Sequence, residues 1–119
     1  MDDYTASFDK VRAICRETGL PGLEEGQSWG TPAMKVKGKM LVRVREPDVL
    51  VLPCDLDEKE ILMQVAPHIY FETKHYSGYP AVLVHLDAIE PDELAERIEM
   101  EWRKMAPKKL VAEFDKQKA

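Results

Sequence analysis

The spacing of apolar residues changes from a helical repeat to a repeat of two near residue 23, and this change constrains the fold most strongly. Before Gly19, apolar side chains recur every three or four residues, and Asp2, Asp3 and Thr5 are candidate helix caps. Over residues 23–54 the repeat is two, with glycines and prolines at short intervals. We therefore expect one helix followed by a meander of three or four antiparallel strands.

A second helix is expected after the meander. Asp57 followed by Glu60 forms the pattern of a capping box, in which the two residues satisfy backbone N–H groups at the start of a helix. Pro67 ends this helix, because proline cannot continue it. The face expected to be buried consists of Ile61, Leu62 and Val65.

The last third of the chain predicts two short strands and two helices. The strands are expected at residues 70–73 and 81–86, on either side of a polar loop rich in aromatic residues. Pro91 between acidic residues is typical of the first turn of a helix, and Pro107 starts another. The buried stripes of these helices are expected to be Leu94, Ile98, Trp102 and Met105, and Leu110, Val111 and Phe114.

The central hairpin carries alternating apolar and basic side chains, so its register decides which set is buried. A three-residue loop at residues 37–39 pairs Val36 with Met40. Further along, the same register pairs Met34 with Val42. The set expected to be buried is Met34, Val36, Met40, Val42 and Val44, which leaves the basic residues on the outer face and at the tip.

Length and composition indicate one domain over residues 1–119, with 45% hydrophobic residues to form its core. Apolar runs are far shorter than the roughly 20 residues that cross a bilayer, so no membrane association is expected. The N-terminus begins with two aspartates rather than a basic signal segment, and a cytoplasmic location follows as the expectation. Cys15 and Cys54 lack paired spacing and are expected to be free, buried thiols.

We find no motif for catalysis, metal binding or cofactor binding. Residues 26–30 match the G-x-S-x-G pattern of some hydrolases, but Pro32 and an extended segment follow Ser28 where that pattern needs a helix. We therefore interpret them as a bend between strands. Histidines and cysteines show no metal-ligand spacing, and no glycine-rich phosphate loop occurs. Accordingly, no catalytic residue, metal or cofactor is expected.

Basic residues are concentrated in the central hairpin, although the chain as a whole has a net charge of -5. Residues 33–45 include five basic side chains and no acidic one. Such a hairpin is suited to contact the phosphates of duplex DNA. Lysines also keep exposed strand edges from pairing with other chains, so edge protection is the alternative interpretation.

Several short motifs occur in order along the chain. They are L-P-G-L-E-E at residues 20–25, W-G-x-P at residues 29–32 and K-V-x-G-K-M at residues 35–40, followed by an aromatic, histidine-containing loop before the final strand. This combination resembles the MmcQ/YjbR-like family of small bacterial proteins. The similarity extends over about residues 8–114, and residues 102–109 resemble one branch of that family.

The resemblance implies a two-layer α+β sandwich: a helix, a three-strand antiparallel meander, a helix, two strands and C-terminal helices, similar to secretion-chaperone-like and frataxin-like folds. Members of the family are often labelled predicted DNA-binding proteins with a double-wing shape, and the family has no established reaction or cofactor. By this analogy, one wing is the basic hairpin and the other is residues 73–79. The residues expected to bind nucleic acid are Lys35, Lys37, Lys39, Arg43, Arg45, Lys74, His75 and Tyr76.

The function that the sequence favours is a non-enzymatic binding module that contacts duplex DNA through the basic hairpin. The alternative is an adaptor that binds a protein or a ligand through the sheet face or the aromatic loop, as chaperone-like folds do. Titration against duplex DNA at several salt concentrations distinguishes the two hypotheses, because phosphate contacts are strongest at low salt.

Overall fold

The structure is a computed structural model that describes residues 4–118. The candidate caps Asp2 and Asp3 lie outside these residues. The helices of the described chain are α1 (Thr5–Thr18), α2 (Leu56–Val65), α3 (Pro91–Met105) and α4 (Lys108–Lys118). Its strands are β1 (Leu23–Ser28), β2 (Thr31–Val36), β3 (Lys39–Glu46), β4 (Val49–Pro53), β5 (Tyr70–Phe71) and β6 (Ala81–His85), and a 3-10 turn covers Lys74–Tyr76.

The strands form one sheet in the order β1-β2-β3-β4-β6-β5, in which each neighbouring pair is antiparallel. β1 to β4 are the predicted meander, which has one strand more than the resemblance implies. Helices packed on one side of this sheet give an α+β arrangement, as predicted. The edges of the sheet are β1 and β5, so the basic hairpin of β2 and β3 lies inside it.

The main core lies between the helices and one face of the sheet, which we call the helix face. Val11 of α1 and Ile98 of α3 are fully buried in the same cluster as Val42 of β3. Burying a side chain of this size contributes about 1.5–3 kcal/mol. Most of the apolar stabilisation of the described chain therefore comes from this face.

The turn before β1 explains the L-P-G motif in physical terms. Trp102 is completely buried, and its indole N–H donates a hydrogen bond of 3.1 Å to the carbonyl oxygen of Pro21. Gly22 has a φ of 79°, and a Cβ at this position would lie 2.7 Å from Cδ1 of Leu110. A larger residue at position 22 would thus be strained by the positive φ, and the end of the Leu110 side chain would have to move.

Most of the predicted helical faces are confirmed. α1 ends at Gly19 with a φ of 70°, and α3 begins with Pro91 in its first turn. The predicted stripes of α3 and α4 are buried or partly buried: Leu94, Ile98, Trp102 and Met105, and Leu110, Val111 and Phe114. Both cysteines are buried, free thiols. No helix within residues 4–118 is long and apolar enough to span a membrane.

The prediction for α2 is wrong in its start and in part of its buried face. The helix begins at Leu56, two residues earlier than expected, and Ile61 and Val65 are 60% and 77% exposed. Leu62 is buried as predicted, and Lys59 is buried as well. A lysine can take this position because its stem is apolar and its ammonium group finds acceptors in a loop that lies later in the sequence.

The register of the central hairpin also differs from the prediction. β2 and β3 are joined by the two-residue turn Lys37-Gly38, whose φ angles of 50° and 78° are those of a type I′ turn. The pairing shifts next to Met34, which does pair with Val42 as predicted. The shift brings Leu41 into the core of the helix face, whereas Met40 packs partly buried on the opposite face. The other predicted residues of this set are buried, as expected: Met34, Val36, Val42 and Val44.

Candidate functional site

The face of the sheet opposite to the helices, which we call the open face, carries basic side chains of the hairpin. Lys35 on β2 and Arg43 and Arg45 on β3 alternate with buried residues of the helix face and are half-buried. On β4 and β6, this face carries a small cluster of apolar side chains, and Tyr76 of the 3-10 turn packs against them. Residues 73–80, which we call the aromatic loop, therefore fold onto the open face beside the arginines.

Lys59 of α2 holds the aromatic loop in place. Its ammonium group is buried and donates hydrogen bonds to the carbonyl oxygens of Tyr76 at 2.5 Å and Tyr79 at 2.9 Å. Glu72 lies 3.9 Å away and supplies a nearby negative charge. A buried ammonium group with these acceptors fixes the loop backbone, because each broken contact would leave a polar group unsatisfied.

Tyr76 connects the aromatic loop to the two arginines of β3. Its hydroxyl accepts a hydrogen bond of 2.9 Å from Arg43, which also donates to Oγ1 of Thr31 at 3.2 Å. The guanidinium of Arg45 lies 5.6 Å from the centre of the Tyr76 ring and is paired with Glu46. Arg43 is therefore held in a fixed orientation, and the charge of Arg45 is partly neutralised.

Trp29 lies at the turn between β1 and β2. Ser28 pairs with Thr31, so Trp29 and Gly30 are the two turn residues, with φ angles of 54° and 79°. The bend predicted within residues 26–30 is therefore confined to Trp29 and Gly30, because residues 26–28 belong to β1. The side chain of Trp29 is 87% exposed.

A cavity of about 310 Å³ lies between this turn and the aromatic loop. It is lined by Trp29, Arg43, His75, Tyr76 and Tyr79. Three of these residues are themselves in edge contact, with ring centres 5.1 Å apart for His75 and Tyr76 and 5.8 Å apart for Tyr76 and Tyr79. The cavity thus combines several aromatic rings with one oriented guanidinium group.

The lysines of the hairpin are separate from this cavity. Lys37 and Lys39 are exposed at the turn that lies at the opposite end of β2 from Trp29. Cε of Lys35 lies 3.5 Å from the position that a Cβ on Gly26 would occupy, so the stem of Lys35 lies across β1. None of these three lysines forms a hydrogen bond or ion pair with the residues that the structure describes. Their positive charges are therefore not neutralised within that part of the chain.

Seven of the eight predicted site residues fall into two groups in the structure. Arg43, Arg45, His75 and Tyr76 lie together on the open face, whereas the three hairpin lysines follow β2 to its far turn. Lys74 is exposed on the aromatic loop. Sequence reasoning missed Trp29, Tyr79 and Lys59 as parts of this surface. A bulky residue before glycine in a two-residue turn was the available signal for Trp29.

Other reactive groups in the described residues do not form a second site. Burial raises the pKa of both thiols, Cys15 and Cys54, to about 11, which makes them poor nucleophiles at neutral pH. No group of three potential metal ligands occurs within residues 4–118.

A larger cavity, of about 590 Å³, lies between α1 and the β1–β2 hairpin. Its arginine, Arg12, is bound to the carboxylates of Glu25 and Asp9. This pairing lowers the pKa of Glu25 and raises that of Arg12. Because the guanidinium is already neutralised, this cavity is less suited to an anionic ligand than the one beside Arg43.

The fold and this surface together describe a small α+β protein with a basic hairpin and an aromatic loop on one sheet face. The chain belongs to the YjbR family, which it matches over residues 18–104. The match includes the hairpin, the aromatic loop and most of α3.

Three relatives are uncharacterized proteins of mycobacteria: Rv2570 and MT2646 of Mycobacterium tuberculosis and Mb2600 of Mycobacterium bovis. Each is 40% identical to this chain over 92 residues, which cover 73% of this chain and 71% of the relative. No solved structure matches the chain significantly.

Proposed function

We propose that this protein binds duplex DNA without catalysing a reaction, through the lysines of the β2–β3 hairpin. The observation that carries the proposal is that Lys35, Lys37 and Lys39 have no acidic partner within residues 4–118. Lysines without an acidic partner can replace condensed counterions along a phosphate backbone. The release of those counterions supplies most of the affinity for DNA.

The position of these lysines in the sheet also supports the proposal. Lysine on an edge strand prevents pairing with other chains, but the edges here are β1 and β5. β2 and β3 each have a neighbouring strand on both sides. Edge protection therefore gives no reason for this concentration of positive charge.

The net charge of -5 limits what kind of binding is proposed. Repulsion between the acidic remainder and DNA favours a contact confined to the hairpin over coating of the whole surface. The hairpin supplies up to three unpaired cations, so we expect a salt dependence with a slope of about three at most.

The experiment that tests the proposal is a titration of a fluorescent duplex at roughly 50 and 200 mM salt. Replacing Lys37 and Lys39 together with Gln should weaken binding to all duplexes and reduce the slope of log affinity against log salt by about 2. Lys108→Gln/Lys109→Gln, at exposed positions at the start of α4, is the matched control with the same loss of charge. Absence of duplex binding at low salt, or equal effects of the two double variants, would contradict the proposal.

A second candidate function is that of a protein-binding adaptor, and the exposed side of α2 favours it. Leu56, Ile61 and Val65 are 50%, 60% and 77% exposed, and apolar side chains of this size at one helix are typical of contact surfaces. The same titration separates the two functions. Ile61→Glu/Val65→Glu should leave duplex affinity unchanged if the hairpin binds DNA and α2 serves another partner.

A further inference from the structure

We propose that the cavity between Trp29 and the aromatic loop binds one unpaired guanine base of a nucleic acid. This inference rests on the proposed function, because it assigns a second contact to the same DNA. The hairpin lysines contact phosphates at one end of β2, and the cavity lies towards the other end. A strand that leaves the duplex near the hairpin would extend across the open face to reach it.

The size and the walls of the cavity fit a single planar ring system. About 310 Å³ is at the lower end of the range of roughly 300–1,000 Å³ found for small-molecule sites. Its aromatic lining comes from Trp29 of the β1–β2 turn and from His75, Tyr76 and Tyr79 of the aromatic loop. Stacking on such rings is the main way in which proteins hold unpaired bases.

The conformation of Trp29 supports a role in binding. Asparagine and glycine are the usual residues in this turn position because φ is positive, and a bulky side chain is strained there. With 87% of its surface exposed, Trp29 recovers little stabilisation from packing. Neither the turn nor the core requires a tryptophan at position 29. Stacking against a base would give this side chain a role.

Arg43 supplies the group that distinguishes guanine from the other bases. A guanidinium has five N–H groups, and Thr31 and Tyr76 each accept one of them, from different terminal nitrogens. One N–H on each terminal nitrogen is therefore left for a ligand. Guanine presents two adjacent acceptors, O6 and N7, that match such a pair of donors.

The first test uses the fluorescence of Trp29 with guanosine monophosphate as the probe. We expect saturable quenching by this nucleotide that is about tenfold weaker with cytidine monophosphate or with Arg43→Lys as the protein. Trp102 is buried and gives a constant background, and Val65→Ala on α2 is the control variant. Linear, unsaturable quenching, or equal quenching by the two nucleotides, would overturn the inference. Complete competition by inorganic phosphate alone would overturn it as well, because the site would then bind an anion rather than a base.

The second test compares a fully paired duplex with the same duplex carrying one extruded guanine. The extruded base should increase affinity about tenfold, and Trp29→Asn should abolish this increase. Lys37→Gln/Lys39→Gln should instead weaken binding to both duplexes equally. If the paired duplex binds and the extruded base adds nothing, the cavity inference fails and the proposed function stands. If neither duplex binds, the proposed function fails, and the base preference within DNA fails with it.

Discussion

The two faces of the sheet are formed by the same strands, yet they differ in how their residues relate to stability. On the helix face, Val42, Ile98 and Trp102 are completely buried and no charge is present among them. On the open face, the neighbouring strand positions hold Lys35 and Arg43, and the aromatic loop covers only part of the surface. Alternation along a strand thus separates the positions that form the main core from the basic positions of the open face.

This difference between the faces also explains why the open face can hold residues that do not stabilise the fold. The strained, exposed Trp29 and the side chain of Lys35, which has no partner within residues 4–118, are expected to contribute little to the free energy of unfolding. Because the helix face supplies most of the apolar burial, the open face can hold such residues without loss of the fold. The four predictions below test this separation, from the largest expected effect to the smallest.

Val42→Asp should produce the largest effect, a loss of about 4 kcal/mol in the free energy of unfolding. Val42 is completely buried, so the variant places an unpaired carboxylate in the core. Lys39→Asp, on the same strand but exposed, should change stability by no more than about 0.5 kcal/mol. Urea unfolding of both variants measures the difference. Similar midpoints for the two would mean that Val42 is not buried in the core as described.

Lys59→Met should lower the free energy of unfolding by about 2 kcal/mol, although it removes a buried charge. The carbonyl oxygens of Tyr76 and Tyr79 would lose their donor, and the aromatic loop would separate from α2. Lys74→Met is the matched control, since Lys74 is exposed on the same loop. Hydrogen exchange of the loop amides should become faster in the first variant alone. An unchanged exchange rate would show that Lys59 does not hold the loop.

The thiol of Cys15 should make stability fall by roughly 1 kcal/mol between pH 9 and pH 10. Burial raises the pKa of this thiol from 9.0 to about 11, so over this window the thiol ionises in the unfolded chain and stays protonated in the folded one. Its contribution is constant below pH 8 and is lost as pH rises towards 11. Chemical unfolding at pH 8, 9 and 10 should show a smaller decrease for Cys15→Ala than for the natural protein. Equal decreases would refute the assigned cause.

Trp29→Asn should have the smallest effect on folding and the opposite sign. Asparagine accepts a positive φ more readily than tryptophan, so we expect stabilisation of about 0.5 kcal/mol. The variant should at the same time lose guanine-dependent binding. Thermal unfolding and the nucleotide titration measured on one sample check both parts. A destabilised variant would place Trp29 among the residues that maintain the fold.

The fold could be predicted further than the binding surface. The start and stripe of α3 follow from Pro91 and from the spacing of Leu94, Ile98 and Trp102, which are local signals. The two-residue turn Lys37-Gly38 pairs Lys35 with Met40 on the open face, and the irregular pairing next to Met34 then aligns Met34 with Val42; the apolar alternation alone did not predict this combination. Sequence patterns therefore located the helices and strands but not every side chain on them.

The aromatic loop shows why the site itself was harder to predict. Lys59 reaches carbonyl groups 17 and 20 residues later in the sequence, and Arg43 reaches the hydroxyl of Tyr76 33 residues later. Contacts at these separations depend on the folded chain rather than on neighbouring residues. The sequence indicated basic and aromatic residues as candidates, whereas the placement of some of them around one cavity emerged only from the tertiary structure.

The most direct test of the central claim, that the open face and its hairpin bind DNA, uses the two tryptophan indole N–H groups in an NMR titration. Trp29 lies at the open face, and Trp102 of α3 is buried in the core on the helix side, so each reports on one side of the molecule. On addition of a duplex with one extruded guanine, the signals of the Trp29 indole and of the Lys37, Gly38 and Lys39 amides should shift, while that of the Trp102 indole stays in place. Shifts confined to the helix side, or no shift at low salt, would contradict the account.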